Sequence, residues 1–155
     1  MKRYLLLLAA VAVAALAFPS IASAQNGHFV GTPTCTDEGT TFECSGKVAG
    51  LGGTTFEIRS TAPGTATVSC SNPAGNVAPG QATSVTAAGS TGPLPTPTNG
   101  NYPFTVSSVT PTVPNFPTCP NRKWTATVTD VAFGDVTLTL LEDGVVSDTI
   151  TVPVS

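Results

Sequence analysis

"TFECSGKVAGLGGTTFEIRSTAPGTATVSC", residues 41–70, alternates apolar and polar side chains almost without a break. Phe42, Cys44, Gly46 and Val48 fall on one side of an extended chain, and Thr41, Glu43, Ser45 and Lys47 on the other, which is the period of a half-buried strand. After the turn "GLGG" the rhythm resumes with Phe56 and Ile58 against Thr55, Glu57 and Arg59. "APG", residues 62–64, reads as the close of that strand, and Ala66, Val68 and Cys70 as the inner face of the next.

Working outward, the same period returns in Trp124, Ala126 and Val128, in Val136, Leu138 and Leu140, and in Val146, Ile150 and Val152. Weaker candidates lie near Ala82–Ala87 and Tyr102–Ser108. No stretch beyond the N-terminus carries a helical apolar stripe, and Thr and Val recur between Gly and Pro punctuation. The expected fold is all-β: an antiparallel β-sandwich of about eight strands, immunoglobulin-like in the broad sense, with a jelly roll or small barrel as the alternative. Within "TVTDVAFGDV" the apolar phase slips by one residue between Val128 and Val131 and returns by Val136, which predicts a bulge or bend. "GSTGPLPTPTNG", residues 89–100, reads as a long connection between sheets, because its prolines forbid central-strand pairing.

The N-terminus is "MKRYLLLLAAVAVAALAFPSIASA". Lys2 and Arg3 precede an apolar run from Leu5 to Phe18, and Ala22-Ser23-Ala24 is a small-x-small cleavage signal. Residues 1–24 are therefore read as a secretory signal peptide and residues 25–155 as a single exported domain. A transmembrane anchor needs about 20 apolar residues, and Pro19 with the polar "QNGH" cuts this run short. Removing 24 of 155 residues leaves 131, enough for one domain. The basic count falls from 6 to 4 against 9 acids, a net charge of about −5. Four scattered cations exclude a nucleic-acid backbone as partner and a basic membrane-surface patch.

Cys35, Cys44, Cys70 and Cys119 make an even set with no C-x-x-C pair, as expected of disulfides in an exported protein. If Gly39-Thr40 centres a two-residue hairpin turn, Cys35 lies opposite Cys44, leaving Cys70 for Cys119. His28 is the sole histidine and no G-x-S-x-G elbow exists, so a nucleophile–base pair is missing and no enzyme is expected. Asp130, Asp135 and Asp148 would hold calcium only if their loops share one end. Glu142-Asp143 reads as surface charge at an Asp-Gly turn, and the Thr125-Thr127-Thr129 and Thr137-Thr139 runs as the solvent face of a sheet. The expected cofactor set is empty.

Three blocks carry a resemblance: "CSGKVAGLGG", "VSCSNPAGNVAPGQ" and "CPNRKWTATVTDVAF", covering most of the chain from Cys44 to Phe133. In this order they resemble a set of small secreted bacterial β-rich proteins. The resemblance implies export and a β-rich domain and brings no catalytic residues with it.

A Cys70–Cys119 bridge would hold "SNPAGN" beside "PNRKW". Asn72, Asn76 and Asn121 are then expected to satisfy backbone groups in two irregular loops, with Arg122 at the edge of a possible recognition surface. Trp124 is expected in the core, and Tyr102 and Phe116, each followed by Pro, as a small aromatic platform. The expected function is a secreted, non-enzymatic binding or surface-associated module for an extracellular protein or polysaccharide. The rival reading is an inhibitor of a secreted hydrolase, with "TPTVPNFPTCPNRK", residues 110–123, as inserting segment.

Overall fold

The computed structural model describes residues 26–155, so the leader read at residues 1–24 lies outside the described residues. Eleven strands run β1 (His28–Phe29), β2 (Thr34–Asp37), β3 (Phe42–Ala49), β4 (Thr55–Ser71), β5 (Val77–Pro79), β6 (Thr83–Ser90), β7 (Leu94–Pro95), β8 (Tyr102–Ser107), β9 (Thr125–Phe133), β10 (Val136–Glu142) and β11 (Val145–Val152). All named pairings are antiparallel.

Two sheets form the body. In one, β3 lies between β8 on one side and β1 and β2 on the other. In the other, the order is β6, β4, β10, β11. Their facing surfaces meet in one apolar core, to which β3 and β8 bring Phe42, Cys44, Val48, Phe104 and Val106 and β4 and β10 bring Phe56, Ile58, Leu138 and Leu140. The sheets touch at both margins: Gly89 of β6 bridges Ser108 after β8, and Val154 pairs in parallel with Cys35 of β2. This is an antiparallel β-sandwich, as the two-residue period predicts.

The strand count exceeds eight because one sheet margin is broken into β1 and β2 and because β5 and β7 are only three and two residues long. In the opposite sense, "APG" does not close a strand. β4 runs 17 residues through it, burying Phe56, Ile58, Ser60, Ala62, Ala66, Val68 and Cys70 in unbroken alternation. Pro63 fits because its carbonyl accepts Gly134 N–H (2.8 Å), so its nitrogen faces the short break between β9 and β10, where no ladder bond is lost. Glycine is needed at position 64 because β9 approaches closely: a Cβ there would lie 2.7 Å from Val131 Cγ1.

From Gly64 onward β4 exchanges β10 for β9 and near its end also pairs with β5, forming an arm with its own small core of Ala66, Val68, Cys70, Cys119 and Val131, while β9 stays tied to the β2–β3 turn through Val131 N–H to Gly39 O (2.9 Å). The predicted bulge is here. Thr67 pairs with Asp130 but Val68 with Val128, leaving Thr129 as the extra residue. Residues 91–101 cross from the β4 sheet to the β8 sheet as expected, although Leu94–Pro95 adds a short pairing to Thr55–Phe56 at the sheet margin.

Candidate recognition surface at the stapled arm

Both disulfides have the pairing expected from the spacing. Cys35 and Cys44 are register partners across the β2–β3 hairpin with Cα atoms 4.1 Å apart. Cys70 and Cys119 join the end of β4 to the loop that leads into β9, with Cα atoms 5.7 Å apart.

The second bridge brings together the loops carrying the predicted site residues. After β4 the chain turns through residues 72–76. Asn72 Oδ1 accepts the N–H groups of Ala74 (3.0 Å) and Asn76 (2.9 Å), while Asn72 N–H donates to Asn76 O (3.0 Å). Its amide thus replaces ladder partners that the turn removes. Asn76 takes part through its main chain rather than its side chain. Asn121 Oδ1 accepts Lys123 N–H (2.9 Å) and its carbonyl accepts Trp124 N–H (3.1 Å), shaping the entry to β9. Ser71 pairs with Thr125, so the two turns share the outer end of the arm.

Residues 109–124 are largely irregular, yet they are tied down. Asn115 Oδ1 accepts Ala126 N–H (2.9 Å), Asn115 O accepts Cys119 N–H (2.8 Å), and Thr118 O accepts Gln81 N–H (2.9 Å). Thr118 and Cys119 are buried, and Val113 and Trp124 pack partly against the arm core. Trp124 is therefore half-buried at the margin of this core rather than inside the main one.

Between this loop and β5 lies a cleft of about 420 Å³ lined by Pro79, Gln81, Phe116, Pro117, Thr118 and Pro120. Phe116 is 51% exposed, and the Arg122 guanidinium carbon sits 5.8 Å from its ring centroid, within cation–π range. The expected platform of Tyr102 with Phe116 does not exist. Tyr102 packs against Phe56 at the main core (ring centroids 5.0 Å apart), which leaves Phe116 to present its ring alone. Gln81 was legible only as part of the "APGQ" block, with no sign of its place in a cleft.

Charge is unevenly distributed around this site. From Ile58 to Thr129 the chain contains no Asp or Glu, while Arg122, against Phe116 of the cleft, and its chain neighbour Lys123 stand exposed. Arg59, the other arginine of the body, is engaged by Glu57 through two hydrogen bonds of 2.8 and 2.9 Å.

The opposite end of β4 lies beside two carboxylates, Glu142 and Asp143. Glu142 is fully buried, a correction to its reading as surface charge. It accepts the N–H groups of Gly27 (3.0 Å), Gly52 (2.7 Å) and Gly53 (3.3 Å) and the Ser147 hydroxyl (2.7 Å). Burial pushes its pKa up, but the donors of Gly52, Ser147, Gly27 and Gly53 together outweigh that and hold it below the usual carboxylate range. Asp143, in the expected Asp-Gly turn with φ of 48° followed by Gly144 at 81°, accepts Thr55 and Thr54 N–H, which lower its pKa. Asp148 accepts Phe29 N–H (2.9 Å), and Asp130 lies near Gly39, so these two of the three aspartates with possible calcium roles serve different places. Among the described residues no group of three or more His, Cys, Asp or Glu side chains is placed to hold a metal ion. Nor, among them, is any helix long and apolar enough to cross a membrane. Comparison with known proteins finds no matching family model, no matching curated protein and no matching solved structure.

Proposed function

We propose that this protein is a secreted, non-enzymatic binding module that recognises an extracellular ligand through the stapled end of its arm. The observation that carries the reading is Phe116: an exposed aromatic ring at the mouth of a cleft, in a loop fixed by Cys70–Cys119 and by the Asn115 hydrogen bonds. A loop ordered before binding loses little conformational entropy on association, which favours recognition by a small surface. The leader-like N-terminus and the two disulfides support export. The strand order, β1/β2–β3–β8 against β6–β4–β10–β11, supports placing the body among immunoglobulin-like sandwiches, which commonly present ligands to their end loops.

The test is retention on insoluble material. Protein with both disulfides formed is incubated with envelopes of the producing cell and with insoluble polysaccharides, and the pelleted fraction is measured. Saturable retention that falls at least tenfold in Phe116→Ala supports the reading; no retention, or retention indifferent to Phe116→Ala, removes it.

The same protruding ring favours one other use. Residues 110–123 would then be the inserting segment of a hydrolase inhibitor, a role that rewards a pre-formed loop. Inhibition of any member of a panel of secreted proteases and glycosidases at micromolar protein, abolished by Phe116→Ala, would decide for it.

A further inference from the structure

We propose that the cleft beside Phe116 takes a carboxylate-bearing saccharide, a uronic-acid type of ligand; this deepens the binding-module reading and rests on it. The first ground is charge complementarity. All nine acids lie outside Ile58–Thr129, and the residues lining the cleft, with Arg122 against Phe116 and Lys123 next to it in the chain, include none of them. Asp130, the first acid beyond that stretch, stands opposite Thr67 on the exposed face of β9, where it lies near Gly39 of the β2–β3 turn. An anionic ligand approaching the arm tip therefore meets attraction there and repulsion from the body, which fixes orientation as well as affinity.

The second ground is the chemistry of the groups present. Arg122 is held over one face of Phe116 and, among the described residues, has no carboxylate partner, unlike Arg59, so its donor fork is available to a carboxylate. Phe116, Pro79, Pro117 and Pro120 offer ring surfaces that suit the C–H faces of a sugar, and the exposed Gln81 amide suits its hydroxyl groups. The volume of about 420 Å³ falls in the size range of small-ligand sites, roughly 300–1,000 Å³. An acidic peptide fits less well. Extended peptides gain affinity by pairing with an open strand edge, whereas beside the cleft Gln81 N–H is already given to Thr118 O.

The experiment is calorimetric titration of the disulfide-intact protein with three uronate probes (tri-galacturonate, an alginate trimer and a hyaluronate tetramer), with neutral galactotriose, and with a hexaglutamate peptide. At least one uronate is expected to bind at least tenfold more tightly than galactotriose and hexaglutamate. Its affinity should fall at least tenfold in Arg122→Gln and weaken as salt rises from 50 to 500 mM. Arg122 is exposed, so an unchanged circular dichroism spectrum is expected of the variant. Binding of no uronate, equal binding of galactotriose, or indifference to Arg122→Gln would overturn the proposal. Hexaglutamate binding as tightly as the best uronate would overturn it in favour of an acidic protein partner. Each failure is distinguishable from failure of the binding-module reading, because Phe116-dependent retention on envelopes or neutral polysaccharide can persist without any uronate affinity.

Discussion

Near its start β4 buries Phe56 and Ile58 between two sheets; near its end the same strand buries Ala66, Val68 and Cys70 against an irregular loop. Each large side chain removed from water contributes about 1.5–3 kcal/mol, so the body is held by its own core. The arm buries smaller groups over a smaller area and has a covalent bond in their place. In the chain-entropy description a bridge spanning 49 residues contributes about 4 kcal/mol, against about 2.5 for the nine-residue span of Cys35–Cys44. The lesson is a division of labour. Apolar packing builds the scaffold, and a staple with side-chain amides builds the end that is offered to a ligand, where a large apolar core would leave no room for an exposed ring and a cleft.

Three substitutions break or sharpen this contrast, from the largest effect to the smallest. Leu138→Ala in the body core should cost about 2–5 kcal/mol, read as a lowered denaturation midpoint of the whole molecule. A loss below 1 kcal/mol would show that the sandwich is not held by that core.

Glu142→Gln should cost about 1–3 kcal/mol, because a neutral amide cannot serve all the donors that converge on the buried carboxylate. It should also change the acid side of the stability curve. A carboxyl with a depressed folded pKa contributes stability that is fully present above its ordinary value of 4.5 and is lost as pH falls through the folded value. The wild-type protein should therefore lose stability on acidification below that range, and the variant should lose less. An identical acid limb in both would refute the carboxylate's role. Phe116→Ala, at an exposed position, should change stability by no more than about 0.5 kcal/mol. A larger loss would mean that the ring supports the arm rather than a ligand.

The legible parts of the fold are those fixed by alternation and by short-range geometry. The inner and outer faces of β3, the Cys35–Cys44 register and the bulge at Thr129 each follow from a count of two or from one slip in it. The length of β4 was misread as two strands, although its buried residues keep even numbers from Phe56 to Cys70. Pro63 and Gly64 suggested a stop because their local meaning depends on whether a partner strand requires the missing N–H, which only the position of the β9–β10 break decides. Asn72 and Asn121 were readable as turn formers, since an Asx turn needs only near neighbours. Phe116 was readable as a loop aromatic, but its platform partner was not, because Tyr102 packs on Phe56. Glu142 was not readable: it is buried because Gly27, Gly52 and Gly53 converge on it from distant parts of the sequence.

The most direct measurement is amide hydrogen exchange on a Cys70→Ala/Cys119→Ala protein compared with the native one. The account predicts that protection collapses over residues 66–81 and 115–131, while β3, β8, β10 and the first half of β4 keep theirs within about tenfold. Uniform loss across both regions, or protection of the arm unchanged without its bridge, would contradict the division between a packed body and a stapled recognition end.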